Sequence, residues 1–283
     1  CSLLTNTTGT NNVAVGNNSL KTQTTAEGNT AIGSDTLCTV TSSAGGNTAV
    51  GQKALEDDTT GFYNTAVGSL SLCQNTTGAC NVAIGREALR NNTTAANNTA
   101  VGCGALKANT TASNNIAVGR NALLDNTTGK CNVGMGYGAL ANNTTADKNV
   151  AIGANSLEVN TTGTKNVAIG FNSLQANTTA DDNTAVGKDA LLANTTGTQN
   201  VAVGSISTVT NTTGCYNTAI GHASLYNNST GCYNTALGNF AGNDNTTASS
   251  NTAVGYFSLK ATTTGCQNTA VGYNAMDVNI SGD

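Results

Sequence analysis

Proline and tryptophan are absent from the chain, and only one histidine occurs in its 283 residues. Aromatics make up 4% and charged residues 9%, against roughly 25% charged in ordinary soluble domains. A conventional globular core is therefore excluded, and any core must use small and β-branched side chains. The net charge of −4 offers no basic patch, which argues against nucleic-acid or anionic-membrane partners. No apolar run approaches the roughly 20 residues of a membrane helix. Chemistry is equally scarce. A catalytic triad needs a histidine with an orienting acid, and His222 stands in a variable stretch that reads as solvated surface. No C-x-x-C pair points to zinc, and no glycine-rich calcium or phosphate motif occurs. The expectation is a non-enzyme with no metal and no cofactor. Acidic runs such as Glu56-Asp57-Asp58 and Asp181-Asp182 read as solvated loop faces.

What is abundant is repetition. A glycine recurs at Gly16, Gly33, Gly51, Gly68, Gly85 and Gly102, then every 17 residues to Gly272, giving 16 copies with one 18-residue interval between Gly33 and Gly51. With this glycine as position 5, position 1 is Asn in every copy and position 2 is Thr, Val or Ile. Position 3 is Ala except at Gly134, and position 4 is Val, Ile, Leu or Met. Position 9 is Leu in 13 copies, the exceptions being Thr208, Gly242 and Met276. Positions 1 to 5, as in Asn81 to Gly85, alternate with the period of a strand. A helix fails because Asn-Thr-Thr-Gly interrupts every copy. A 17-residue unit is too short for a βαβ crossover and presents one apolar face, which in-register stacking at about 4.8 Å per rung would bury. The sequence thus predicts an all-β fold: a parallel β-solenoid, or β-roll, of sixteen 17-residue repeats forming a single domain over 1–283.

Within that frame, positions 2 and 4 are expected to point inward, with Leu at position 9 as the opposing wall. Ala at position 3 would then form an outer stripe available for lateral association. Gly at position 5 suggests positive φ or close backbone approach. Position 15 alternates between Gly and Ala, as at Gly78 and Ala95, so smallness is what that corner needs. The extra residue is expected near Gly45-Gly46 as a bulge or widened turn that keeps register. The chain opens at Cys1 without a leader, which reads as a processed or excerpted boundary. Leu3 already occupies position 9 and Asp283 position 16, an uncapped pattern that suggests head-to-tail stacking into a filament.

The copies Asn149-Val-Ala-Ile-Gly153 and Asn166-Val-Ala-Ile-Gly170 resemble head repeats of YadA-like trimeric autotransporter adhesins. The unit running from Asn183-Thr-Ala-Val-Gly187 through Asn194-Thr-Thr-Gly197 resembles arrays in phage-type tail fibres. Those adhesin repeats are a few residues shorter. The resemblance implies a left-handed parallel β-roll, often homotrimeric, on the surface of a cell or virion, with a cell-surface glycan or host receptor as partner. The expected function is an extracellular fibre or adhesin shaft that self-associates as an oligomer or filament. The alternative is a carbohydrate- or ice-binding solenoid.

Three groups of residues are candidate sites. Asn-x-Ser/Thr sequons share one lane at Asn6, Asn75, Asn92, Asn109, Asn126, Asn143, Asn160, Asn177, Asn194, Asn211, Asn228 and Asn245, with others off it at Asn17, Asn91, Asn97, Asn142, Asn227 and Asn279. They could carry glycans, but rungs about 4.8 Å apart favour a ladder of stacked Asn side chains over most of the lane. Cys215 and Cys232 lie one rung apart, which is within disulfide reach; Cys266 shares their lane two rungs further on. Seven of the eleven aromatics follow Gly204; of these Tyr216, Tyr233, Phe240, Tyr256, Phe257 and Tyr273 form a candidate contact surface.

Overall fold

The computed structural model describes residues 1–41 and 43–282; Ser42 and Asp283 lie outside them. The chain forms two compact units, Cys1–Thr145 and Ala146–Asp283. The first carries eight strands, from β1 (Val13–Val15) to β8 (Val133–Met135), and the second eight more, from β9 (Val150–Ile152) to β16 (Thr269–Val271). Each strand is three residues long and occupies positions 2 to 4. Within each unit every strand pairs in parallel with the next, in register. Between β5 (Val82–Ile84) and β6 (Thr99–Val101), Val82 faces Thr99, Ala83 faces Ala100 and Ile84 faces Val101. The parallel β-solenoid is therefore observed.

Outside the strands the backbone is also bonded from turn to turn. Leu89 N–H donates to Ala105 O at 3.0 Å, Glu87 N–H to Ser69 O at 3.0 Å, and Thr76 N–H to Thr93 O at 2.8 Å. These bonds satisfy corner residues held in unusual conformations. Leu89 has φ 51, as do its lane neighbours nearly throughout, and positions 7 and 17 are also left-handed, as at Glu87 (φ 59) and Asn97 (φ 61). A left-handed leucine costs about 1–2 kcal/mol, offset by roughly 1.5–3 kcal/mol from its complete burial. Gly85 has φ 132, and a Cβ there would fall 2.6 Å from Gly102 O, so both expected reasons for glycine hold. At position 15, Ala95 is buried in the place Gly78 takes one turn earlier, in keeping with a need for smallness.

The inside and outside of the strand are the reverse of the sequence expectation. Ala83, Ala100 and Ala168 at position 3 are completely buried, whereas Val15, Ile84 and Ile169 at position 4 are exposed. The reason is lumen size. A 17-residue coil has room for one large side chain per turn, and Leu at position 9 takes it. At Gly134, which replaces Ala in the inner file, an added Cβ would meet Leu123 Cγ at 3.3 Å, so the Ala methyls pack on the Leu side chains. A β-branched residue in that file would overpack the coil. Position 8, always Ala, Ser or Thr, completes the core, as with buried Ala88 and Ser71.

The extra residue of the second copy precedes Ala44, close to Gly45-Gly46 as expected. Asn29 Nδ2 reaches Ala44 O across 15 residues, whereas Asn47 Nδ2 reaches Gly61 O across 14. Register survives, since Ala31 still faces Ala49.

Candidate functional site

One side of the core is polar. Asn at position 1 and Asn at position 12 both point inward and converge on the position-15 carbonyl. Ala95 O accepts from Asn81 Nδ2 at 2.8 Å and from Asn92 Nδ2 at 3.0 Å, using both lone pairs. Between turns, Asn92 Nδ2 donates to Asn75 Oδ1 at 2.8 Å, and Asn98 N–H donates to Asn81 Oδ1 at 3.0 Å. Asn75, Asn92, Asn109, Asn126, Asn143, Asn160, Asn177, Asn194, Asn211, Asn228 and Asn245 are all buried. A glycan attaches at Nδ2, the atom these bonds use, so the folded coil holds the lane as a ladder and leaves no acceptor along it. The off-lane sequons differ: Asn17, Asn97 and Asn142 are exposed, while Asn91, Asn227 and Asn279 are half-buried.

The ladder contains one carboxylate, which corrects the solvated reading of Glu56-Asp57-Asp58. Asp58 occupies position 12 and is completely buried. Its Oδ1 accepts from Asn75 Nδ2 at 2.8 Å, while Oδ2 has no partner. The lane neighbour on the other side is buried Val40, which offers nothing polar. Desolvation pushes the carboxyl up to about 7, partly opposed by hydrogen bonds from Asn75 and the Gly61 backbone.

None of the nine cysteines forms a disulfide. Cys215 and Cys232 do lie in one lane on successive turns, yet they do not bridge. Cys232 Sγ accepts the Cys215 N–H at 3.1 Å, and Cys215 Sγ accepts the Thr198 N–H at 3.3 Å. Each sulfur is thus aimed at the backbone of the preceding turn, because in-register side chains point the same way rather than toward each other. Cys73 is buried, and its Sγ–H donates to Glu56 Oε2 at 3.4 Å. Desolvation, then Glu56, pushes that thiol up to about 12.

The aromatic residues fall into two patches. Tyr216 and Tyr233 stack at position 17, with centroids 4.9 Å apart and planes 5° apart. Phe240, Tyr256, Phe257 and Tyr273 cluster at positions 6 and 7. There Phe240 stacks on Phe257 at 5.0 Å, Tyr256 on Tyr273 at 5.6 Å, and Lys260 Nζ lies 4.8 Å from the Phe257 centroid. His222 meets Phe240 edge to face at 5.2 Å, so the single histidine packs on an aromatic ring. No group of three or more His, Cys, Asp or Glu among the described residues could hold a metal ion. Among the described residues no helix is long and apolar enough to cross a membrane.

Two features escaped the sequence reading: the outward aliphatic file at position 4, and an exposed Phe62–Tyr63 pair in the first unit. The first was hidden by assigning those residues to the core, the second by the distance of this pair from the other aromatics. In comparisons with known proteins, no family model and no curated protein matches the chain.

Proposed function

We propose that this chain is a segment of an extracellular fibre or adhesin shaft, on a cell or virion surface, that associates laterally with copies of itself. The supporting observation is the outer face of the parallel strands. In the position-4 file of the first unit Val15, Ile32, Val67 and Ile84 are large, aliphatic and exposed, as are Ile152, Ile169, Ile220 and Val271 in that of the second, with half-buried aliphatics such as Val50, Val101, Val186 and Val203 on turns between them. Parallel sheets are ordinarily covered on both faces, and a continuous exposed apolar stripe marks an interface. Eight rungs give such a stripe a length of about 34 Å in each unit. The interface is thus this file rather than an Ala stripe, and a glycan or host receptor would be met at the corners that the file leaves free. Sedimentation of the purified chain tests the reading. A homo-oligomer is expected, and Ile152→Lys with Ile169→Lys should dissociate it without changing the circular dichroism spectrum. A monomer at all accessible concentrations would overturn it.

A second reading, ice binding, draws on the same face. Thr218, Thr235, Thr252 and Thr269 occupy position 2 on consecutive turns, beside Ile220, Leu237, Val254 and Val271. The result is a two-file array of hydroxyls and methyls in register from turn to turn. Thermal hysteresis in the purified chain would favour it; its absence would remove it. Carbohydrate binding, the other alternative, would draw on the exposed rings of Tyr216, Tyr233, Tyr256 and Tyr273, and a glycan array tests it.

A further inference from the structure

Beside the 18-residue copy of the first unit, the corner made by positions 14 to 17 opens into a groove of about 540 Å3. Position 16 carries Glu27, Gly45 and Phe62 on three successive turns. Position 17 carries Asn11, Gly28, Gly46 and Tyr63 on four. The glycines form a floor without side chains. One wall is the ring pair, Phe62 and Tyr63, which meet edge to face with centroids 5.4 Å apart and planes at 85°. Tyr63 leans over the floor, since a Cβ on Gly46 would lie 2.6 Å from Tyr63 Cδ1. Both rings remain exposed, at 43% and 68%. Glu27, exposed across the gap, takes part in no ion pair among the described residues.

The dimensions and the charge select the occupant. Glu27 and Phe62 share a lane two rungs apart, about 9.6 Å. A cation attracted by a ring face sits within about 6 Å of the centroid, and an ion pair closes at about 4 Å. One cationic head therefore spans the gap. Other aromatic rings of this chain hold cations where a basic side chain is within reach: Lys260 Nζ lies 4.8 Å from the Phe257 centroid and Arg120 Cζ 5.9 Å from that of Tyr137. The Phe62–Tyr63 pair has no such internal partner among the described residues. An apolar occupant would desolvate Glu27 without compensation.

We propose that this groove binds an organic ammonium group, held between the Glu27 carboxylate and the rings of Phe62 and Tyr63. The site is independent of self-association through the sheet face and would survive the failure of that reading.

The test is an NMR titration of the full chain with tetramethylammonium, choline and N-acetyl-lysine methylamide at constant ionic strength, with glucose as a neutral control. Saturable shifts of the Phe62 and Tyr63 ring signals and the Gly45 and Gly46 amides are expected with at least the quaternary probes. A response to all three amines supports an alkylammonium site in general; a response to the quaternary probes alone supports a methylated head. Glu27→Gln and Tyr63→Ala, both at exposed positions, should each weaken binding about tenfold. The proposal is overturned if no amine gives a saturable shift, if the variants bind as the parent does, or if glucose shifts the same signals equally.

Discussion

Asn75 donates its Nδ2 to Asp58 Oδ1 at 2.8 Å, where the later turns of the lane, from Asn92 to Asn143 in the first unit and from Asn160 to Asn245 in the second, place carboxamide on carboxamide. The substitution leaves Asp58 Oδ2 buried and unpartnered. Its carboxyl is pushed up to about 7 from an ordinary 3.8. A carboxyl raised in the folded state contributes its stability in the protonated form. That contribution is complete below about pH 4 and is lost as pH rises through about 7, by up to about 4 kcal/mol. Asp58→Asn should remove this dependence. The new Nδ2 would donate to Gly61 O as Asn75 Nδ2 does to Gly78 O at 2.9 Å. Hydrogen exchange of the Asp58 and Asn75 turns between pH 4 and 8 reads the difference locally. Equal protection in parent and variant at pH 8 would refute it.

A second prediction separates the two faces of the strand. Ala168 is fully buried and Ile169 is 37% exposed. Ala168→Asp places a charge in the lumen without a partner and should destabilise the second unit by several kcal/mol. Ile169→Asp, at the position the sequence assigns to the core, should cost the single chain less than about 1 kcal/mol. Chemical denaturation of the two variants at a concentration that keeps them monomeric decides the matter, and a larger loss for Ile169→Asp would restore the original assignment.

That reversal marks where sequence reasoning stops. Repeat length, strand position, parallel register and the glycine corner were legible, because a lane of identical residues such as Gly85 and Gly102 allows few backbones. The choice of face was not. Alternation defines two faces, and hydrophobicity alone assigns Val82 and Ile84 to the core. The deciding quantity is lumen volume, set by Leu89 adopting a left-handed conformation that leucine ordinarily avoids. Asp58 read as solvated because it was taken with its neighbours Glu56 and Asp57. Aligned with Asn75 one turn away, it stands in the buried lane. For Cys215 and Cys232, lane spacing gave the distance between turns correctly but could not give the direction of the sulfurs.

The thiols offer a third prediction. Cys73 is buried beside Glu56 and pushed up to about 12, so its thiolate fraction at pH 8 is about 10⁻⁴, and thiolate is the reactive form. Cys103 is exposed. Iodoacetamide should therefore label Cys103 at least about a hundredfold faster than Cys73 in the folded chain, as followed by peptide mass spectrometry. Glu56→Gln should narrow the gap by removing the adjacent negative charge. Comparable rates at the two sites in the parent would contradict the burial of Cys73.

The asparagine lane provides the last test, because a glycan site and a structural ladder respond oppositely to mutation. Asn126 Nδ2 donates to Asn109 Oδ1 at 3.2 Å and to Gly129 O at 2.9 Å, and its Oδ1 accepts from Asn143 Nδ2 at 2.8 Å. Truncation to alanine removes all three bonds at once and leaves buried groups on both neighbouring turns short of a partner, at about 1–3 kcal/mol for each group. Asn142, next to the lane and also in a sequon, is exposed, and its truncation should change stability by less than about 0.5 kcal/mol. The same pair differs in chemistry: in a glycosylating host, folded material should carry no glycan at Asn126, whereas Asn142 presents its amide to solvent. Denaturation of Asn126→Ala and Asn142→Ala, with peptide mapping of the parent, measures both. A silent Asn126→Ala, or a glycan on Asn126 in natively folded chain, would show that the lane is decorated rather than load-carrying.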